Sequence, residues 1–210
     1  MALTTYSELQ TAIATRLVRT DLTSQIVDFI TLAEKSLNHT LGLTAQETET
    51  SITAVVGSRS LTTPSLLGAP VALYLTTYLP RYEIGYQLPD DMQVYSDNGQ
   101  ASAWTIDGST IKTDRPADIA YTYTFRYVAE FDIASTLTNS LLTNYPDLYF
   151  YGALMEAADY IRDEAALARY QARYSRAMQE CLNSENANRA IAKLSTDFGS
   201  KQKQNIITGG

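Results

Sequence analysis

The sequence predicts an α+β fold: a helical bundle built from N- and C-terminal helices, with a β-rich insertion between them and an extended C-terminal tail. Three observations predict it. Apolar residues recur at helical spacing near both ends of the chain, as in Leu9, Ile13 and Leu17 or Leu148, Tyr151, Leu154, Ala158 and Ile161. From about Glu47 to Phe131 the pattern changes to β-branched and aromatic residues separated by turn residues. After Leu182 the apolar periodicity fades into a polar, glycine-ended segment. The resulting division is 1–46 for the N-terminal helices, 47–131 for the insertion, 132–182 for the C-terminal helices and 183–210 for the tail.

The first helix is announced by Thr5 and Glu8, a T-x-x-E capping box that satisfies two exposed backbone amides. Its stripe ends near Thr20. A second helix follows Asp21 or Thr23 as cap, with Ile26, Phe29, Ile30, Ala33 and Leu37 on one face and Gly42 as its stop. Two short helices joined by a short loop are expected to lie antiparallel, and neither is stable alone in water. Their partner must come from elsewhere in the chain.

In the insertion, Gly57-Ser58 between 53–56 and 59–62 reads as a tight hairpin. Asp107-Gly108 between 104–106 and 109–111 is the stronger hairpin signal, because Asp-Gly readily takes positive φ. Ile119, Tyr121, Tyr123, Phe125 and Tyr127 alternate with small or polar residues, a period-two strand about 30 Å long with one aromatic face. Pro146 at the first helical position and Asp147 in the first turn open the C-terminal helices. Their second apolar face is Leu167, Tyr170, Tyr174, Ala177 or Met178 and Cys181, after a bend or break at Arg162, Asp163 and Glu164. Leu9, Ile13, Phe29, Ile30, Leu154 and Ile161 are expected to share one core, so that truncating Phe29 or Ile161 to alanine costs about 3 kcal/mol.

Composition narrows the function. At 210 residues, 45% apolar and 19% charged, the chain can bury a proper core. No secretory signal is read at the N-terminus, so the protein is expected to stay inside the cell that makes it. No apolar run approaches the roughly 20 residues of a membrane span. With 16 basic and 23 acidic residues the net charge is -7, which repels a polyanion and argues against sequence-specific DNA binding. Residues 183–210 hold Arg189, Lys193, Lys201 and Lys203 against Glu185 and Asp197, so a basic tail follows a more acidic body.

Candidate chemistry is sparse. One histidine, His39, and one cysteine, Cys181, exclude any site built on a His pair or a His-Cys zinc cluster. His39 at the end of the second helix is explained by the last carbonyls there, and Cys181 reads as a small buried apolar side chain. No phosphate-cradling G-x-x-x-x-G-K-[ST] or G-x-G-x-x-G motif occurs. Asp90 with Asp91, and Asp159 with Asp163, are acidic pairs of a kind that binds cations or moves protons, and that is also common on solvated surfaces. Most of the 15 tyrosines sit at core-facing spacing without interleaved basic residues, which favours packing over stacking on bases or sugars. No catalytic, metal or cofactor-binding residue is therefore assigned.

One stretch resembles a known family. Asn139, Leu141, Leu142, Pro146, Asp147, Leu148, Tyr149, Tyr151, Gly152, Ala153 and Leu154, followed by Glu156, Ala157 and Ala158, is similar to the start of the third helix of the head-to-tail adaptor, or head-completion, proteins of tailed bacteriophages. It departs from the family pattern at Ser140 and Tyr145, where an aromatic residue and a histidine are usual. Tyr6, Glu8 and Leu9, the stretch 28–34, Leu61 to Leu75 and Tyr121 to Tyr127 are similar too, in the same order over about residues 4–182. The resemblance implies a non-enzymatic virion protein at the head-tail junction, made in the host bacterial cytoplasm. It would form a ring of about a dozen copies between the portal and a tail or nozzle protein, extending a channel for passing DNA, with no cofactor and no membrane. It also implies that the C-terminal extension grips the portal, for which Ile191, Leu194, Phe198, Lys201, Lys203, Ile206 and Ile207 are the expected contacts. The rival readings are a β-rich tail-associated carbohydrate-binding module, a carboxylate-dependent hydrolase and a soluble host-factor binding protein.

Overall fold

The computed structural model describes residues 3–19, 21–41 and 46–204, with side chains described through Ala187. The chain divides into two compact units, Met1–Thr44 with Phe131–Gly210, and Ala45–Glu130.

The first unit is helical. α1 (Tyr6–Leu17) starts at the expected capping box, with the Thr5 hydroxyl accepting from the Glu8 amide and the Glu8 carboxylate accepting from the Thr5 amide. It ends where Val18 takes φ 53°, earlier than Thr20. α2 (Ile26–Thr40) follows, and its buried face is Ile26, Phe29, Ile30, Ala33, Glu34 and Leu37. The C-terminal part comprises the one-turn helices α3 (Ile133–Thr136) and α4 (Ser140–Asn144), then α5 (Pro146–Tyr160) and α6 (Glu164–Gln204). α5 is the hub, packed against α1, α2, α4 and α6. Leu148, Tyr149, Gly152, Ala153, Leu154, Ala157 and Ala158 of α5 are buried, a distribution too wide for a single stripe. Gly152 admits α2 and α6 closely: a Cβ there would stand 3.0 Å from the Ala33 Cβ and 3.4 Å from the Tyr174 ring.

The second unit is a seven-stranded sheet, β1 (Glu47–Thr53), β2 (Ser60–Leu61), β3 (Leu67–Leu75), β4 (Tyr82–Tyr86), β5 (Ala103–Asp107), β6 (Thr110–Thr113) and β7 (Thr122–Ala129). Its order is β1-β7-β3-β4-β5-β6-β2, antiparallel except for β4 with β5. Tyr123, Phe125 and Tyr127 alternate inward along β7, as the period-two pattern requires. They meet Trp104, which lies 5.6 Å from Phe125 ring to ring and donates its indole N–H to the Ile84 carbonyl at 3.0 Å. Pro70 sits at a register irregularity of β3, outside the stretch paired with β4, where its missing N–H costs no ladder bond on that side.

Four expectations are corrected. The α+β class stands, with the β-rich residues between the N- and C-terminal helices in the chain, but the helices do not form a bundle. The sheet has its own aromatic core, and the helices collect round α5. Apolar stripes state that each helix needs a partner; they do not state which, and α5 supplies one to several. Nor is the chain extended over residues 183–204, because α6 is helical in its backbone through Gln204. The Gly57 turn forms, with Gly57 at φ 79° and the Ser58 amide bonded to the Val55 carbonyl at 3.0 Å, yet it joins no hairpin. β1 pairs with β7 and β2 with β6, since pairing with β7 places Ile52 against its aromatic face. Ile161 caps the end of α5 and is not part of the core shared by Leu9, Ile13, Phe29, Ile30 and Leu154. The chain reverses there through Arg162 at φ 57°, and Asp163 caps α6 by accepting from the Ala166 amide at 2.9 Å.

Smaller shifts accompany these. The Asp-Gly hairpin joins β5 to β6 with Asp107 opposite Thr110, so Gly108 (φ 61°) and Ser109 form the loop, one residue later than expected. The long aromatic strand starts at Thr122 and runs to Ala129, leaving Ile119 exposed.

Candidate functional site

Each acidic candidate for chemistry has a plainer role or an exposed position, Asp159 being exposed near the end of α5. Asp163 is the α6 cap, while Asp90 and Asp91 are exposed in the loop after β4. Among the described residues no group of three or more His, Cys, Asp or Glu side chains could hold a metal ion. His39 is exposed in the last turn of α2. Cys181 is buried in the helical core, and burial pushes its thiol up from its ordinary value.

Sequence reasoning missed the most constrained polar group of the helical unit, Glu34. It is 6% exposed, yet one carboxylate oxygen accepts from the Tyr149 hydroxyl at 2.6 Å and from the Ile133 amide at 2.9 Å. The Tyr149 oxygen accepts in turn from the Asn139 side-chain amide at 2.8 Å, and the Asn139 carbonyl oxygen caps α4 by accepting from the Leu142 amide at 2.7 Å. Burial raises the Glu34 carboxyl above its ordinary value, against the lowering effect of these bonds. The Tyr149 phenol is raised by burial and by the charge of Glu34. Next to this chain, the Asn38 side chain both donates to and accepts from the Phe131 backbone at 2.9 Å. α2 is thus pinned to α3, α4 and α5. The signal was present: an acid on the apolar face of α2, between Ala33 and Leu37.

The packing of this junction accounts for most of the N-x-L-L-x-x-x-P-D-L-Y stretch. Asn139 is the cap of α4, Leu141 and Leu142 are buried, Pro146 opens α5, and Leu148 and Tyr149 enter the core. These are building instructions for a helical junction.

A different face of the same unit is open. Arg16 from the last turn of α1, Asp147 and Tyr151 of α5, and Arg169, Tyr170, Arg173, Arg176, Ala177 and Glu180 of α6 line a groove of about 650 Å³. Arg169, Arg173 and Arg176 share one face of α6 by their spacing. Arg176 pairs with Glu180 at 2.9 Å. Arg173 lies over the Tyr151 ring, 5.7 Å from its centroid, and Tyr151 stacks on Tyr170. Among the described residues, Arg16, Arg169 and Arg173 have no carboxylate within ion-pair distance.

The expected portal contacts Ile191, Leu194, Phe198, Lys201 and Lys203 have side chains outside the described residues, and Ile206 and Ile207 lie outside them altogether. Comparison with known proteins is decisive for the family: the model of the SU10 adaptor protein family matches residues 4–195. The chain belongs to the SU10 adaptor protein family. It is therefore a structural head-tail adaptor of a bacteriophage, a virion protein that associates with other head and tail proteins. The match spans α1 to beyond Leu182 of α6 and thus includes both compact units. No curated protein matched the chain. No helix among the described residues is long and apolar enough to cross a membrane.

Proposed function

We propose that this adaptor works as one copy in a ring of about a dozen, seated between the portal and a tail or nozzle protein, where the ring extends the DNA channel. The observation that carries the reading is the family match over residues 4–195. Subunits of a closed ring meet through heterologous contacts, one surface of each copy against a different surface of the next. The net charge of -7 suits a channel wall past which DNA slides without being held.

The portal contact is assigned to the C-terminal end of α6 and the residues after it. The α6 backbone continues as helix well past Leu182, the last of its side chains packed on the core among those described. A helical backbone over these residues supports binding to a partner in the helix-in-groove manner. The expected anchors are Ile191, Leu194, Phe198, Ile206 and Ile207, with Lys201 and Lys203 meeting acidic partner surface. The protein would be made in the host cytoplasm before assembly.

Electron microscopy of intact virions tests the whole reading. A ring of this chain at the head-tail junction is the expected result, and density for it at a tail tip or fibre would overturn the assignment. For the portal contact, full-length protein and a chain ending at Asn183 are each mixed with purified portal rings. Equal binding by both would remove the C-terminal segment from the portal interface.

A further inference from the structure

We infer that the arginine groove of the helical unit is a receiving surface for a second copy of this chain, which inserts the acidic turn Leu88–Asp91. This rests on the ring proposed above and names one of its contacts.

The groove side has three exposed arginines, Arg16, Arg169 and Arg173, without a carboxylate partner among the described residues. They converge from two helices on a floor of Tyr151 and Tyr170. Guanidinium groups on a shared face form a fork-shaped array suited to carboxylates. In a chain of net charge -7, such a cluster is complementary to the rest of the molecule's surface.

The matching feature is in the sheet unit, which holds ten acidic and five basic residues between Ala45 and Glu130. Asp90 and Asp91 are exposed, adjacent, and without an ion-pair partner among the described residues. Their turn is held in shape. The Gln87 amide bonds to the Trp104 carbonyl at 2.9 Å, the Asp91 amide to the Leu88 carbonyl at 3.1 Å, and Met92 is buried behind them. Leu88, 58% exposed at the start of the turn, offers an apolar side chain for the tyrosine floor. Preformed turn and preformed groove lose little conformational freedom on meeting. Asp147 and Glu180 also line the groove and would oppose a DNA phosphate as they would Asp90 and Asp91; duplex DNA is the other occupant that the experiment distinguishes.

Sedimentation velocity of the full-length protein, at low and at high salt, tests the contact. Wild type should self-associate at low salt and less at high salt. Arg169→Glu with Arg173→Glu, or Asp90→Lys with Asp91→Lys, should each weaken association by roughly tenfold or more, and combining all four should restore most of it. All four altered side chains are exposed, and circular dichroism checks that the variants fold. Unchanged association in either charge-reversed pair, no recovery in the fourfold variant, or a wild type that stays monomeric at low salt would each overturn the contact. So would duplex DNA binding that Arg169→Glu with Arg173→Glu abolishes while self-association persists, which would give the groove to nucleic acid. If the contact fails while virions still show the ring, the ring closes through other surfaces; if virions show no ring at the junction, the functional reading itself fails.

Discussion

The helical unit and the sheet unit of this adaptor reach a packed interior by opposite means. Round α5 the fit comes from small residues, with Gly152, Ala153, Ala157 and Ala158 letting neighbouring helices approach, and from one buried polar chain through Glu34, Tyr149 and Asn139. In the sheet unit it comes from large rings, with Trp104, Tyr121, Tyr123, Phe125 and Tyr127 filling the space. The difference teaches where each unit is vulnerable. A core of rings fails when volume is removed; a core of close approaches fails when volume is added or a hydrogen bond is taken away.

The largest effect should follow Trp104→Ala in the sheet unit. It deletes a fully buried ring and its bond to Ile84, and should cost about 3–5 kcal/mol in urea unfolding followed by far-ultraviolet circular dichroism. A loss below about 1 kcal/mol would show that the sheet interior can collapse onto the vacancy.

In the helical unit, Glu34→Ala leaves the Tyr149 hydroxyl and the Ile133 amide without their acceptor and should cost about 1–3 kcal/mol. Glu34→Gln keeps an acceptor oxygen and removes the charge. The folded pKa of Glu34 is raised, so its contribution to stability is full below the ordinary carboxylate pKa and declines as pH rises through the raised folded value. The wild type should therefore lose stability relative to Glu34→Gln across that window on going upward in pH. Parallel stability curves for the two proteins from mildly acid to neutral pH would rule out the buried carboxylate as their cause.

Gly152→Leu tests the close approach of α5 to α2. A side chain there meets the Ala33 Cβ and the Tyr174 ring, and the expected loss is about 1–3 kcal/mol despite leucine's better helix propensity. A stabilised variant would mean that α2 can move aside. The smallest effect is expected at Gly108 in the sheet unit, where φ is 61° and nothing crowds a Cβ. Gly108→Ala should cost about 1 kcal/mol from backbone strain alone, read as a small shift of the urea midpoint with unchanged slope.

The two units also differ in how far the sequence disclosed them. Local signals survived in both: the Thr5–Glu8 box, the Pro146 start, the Asp107-Gly108 turn region and the aromatic alternation of β7 all stand close to where the pattern put them. Each depends on residues within a few positions of one another. The Gly57 turn shows the limit, because its own geometry was legible while the partners of its flanking strands were not. The Glu34 chain shows the same limit for polar groups. An acid on the apolar face of α2 stands out in the sequence, but its partner is legible only once Tyr149, 115 positions away, is brought over it.

By itself, then, the sequence determined the periods, caps and turns, the acidic balance, the absence of a His pair, and a run of residues specific enough to resemble one family. These rest on short-range backbone chemistry and on composition, which no folding event alters. Tertiary structure alone decided that the helices gather round α5, that β1 seeks β7, and that Arg16 from one end of the chain joins Arg169 and Arg173 from the other to make a groove. Those outcomes depend on which distant surfaces bury each other best, a competition settled by shape and desolvation over the whole unit and not by any window of neighbouring residues.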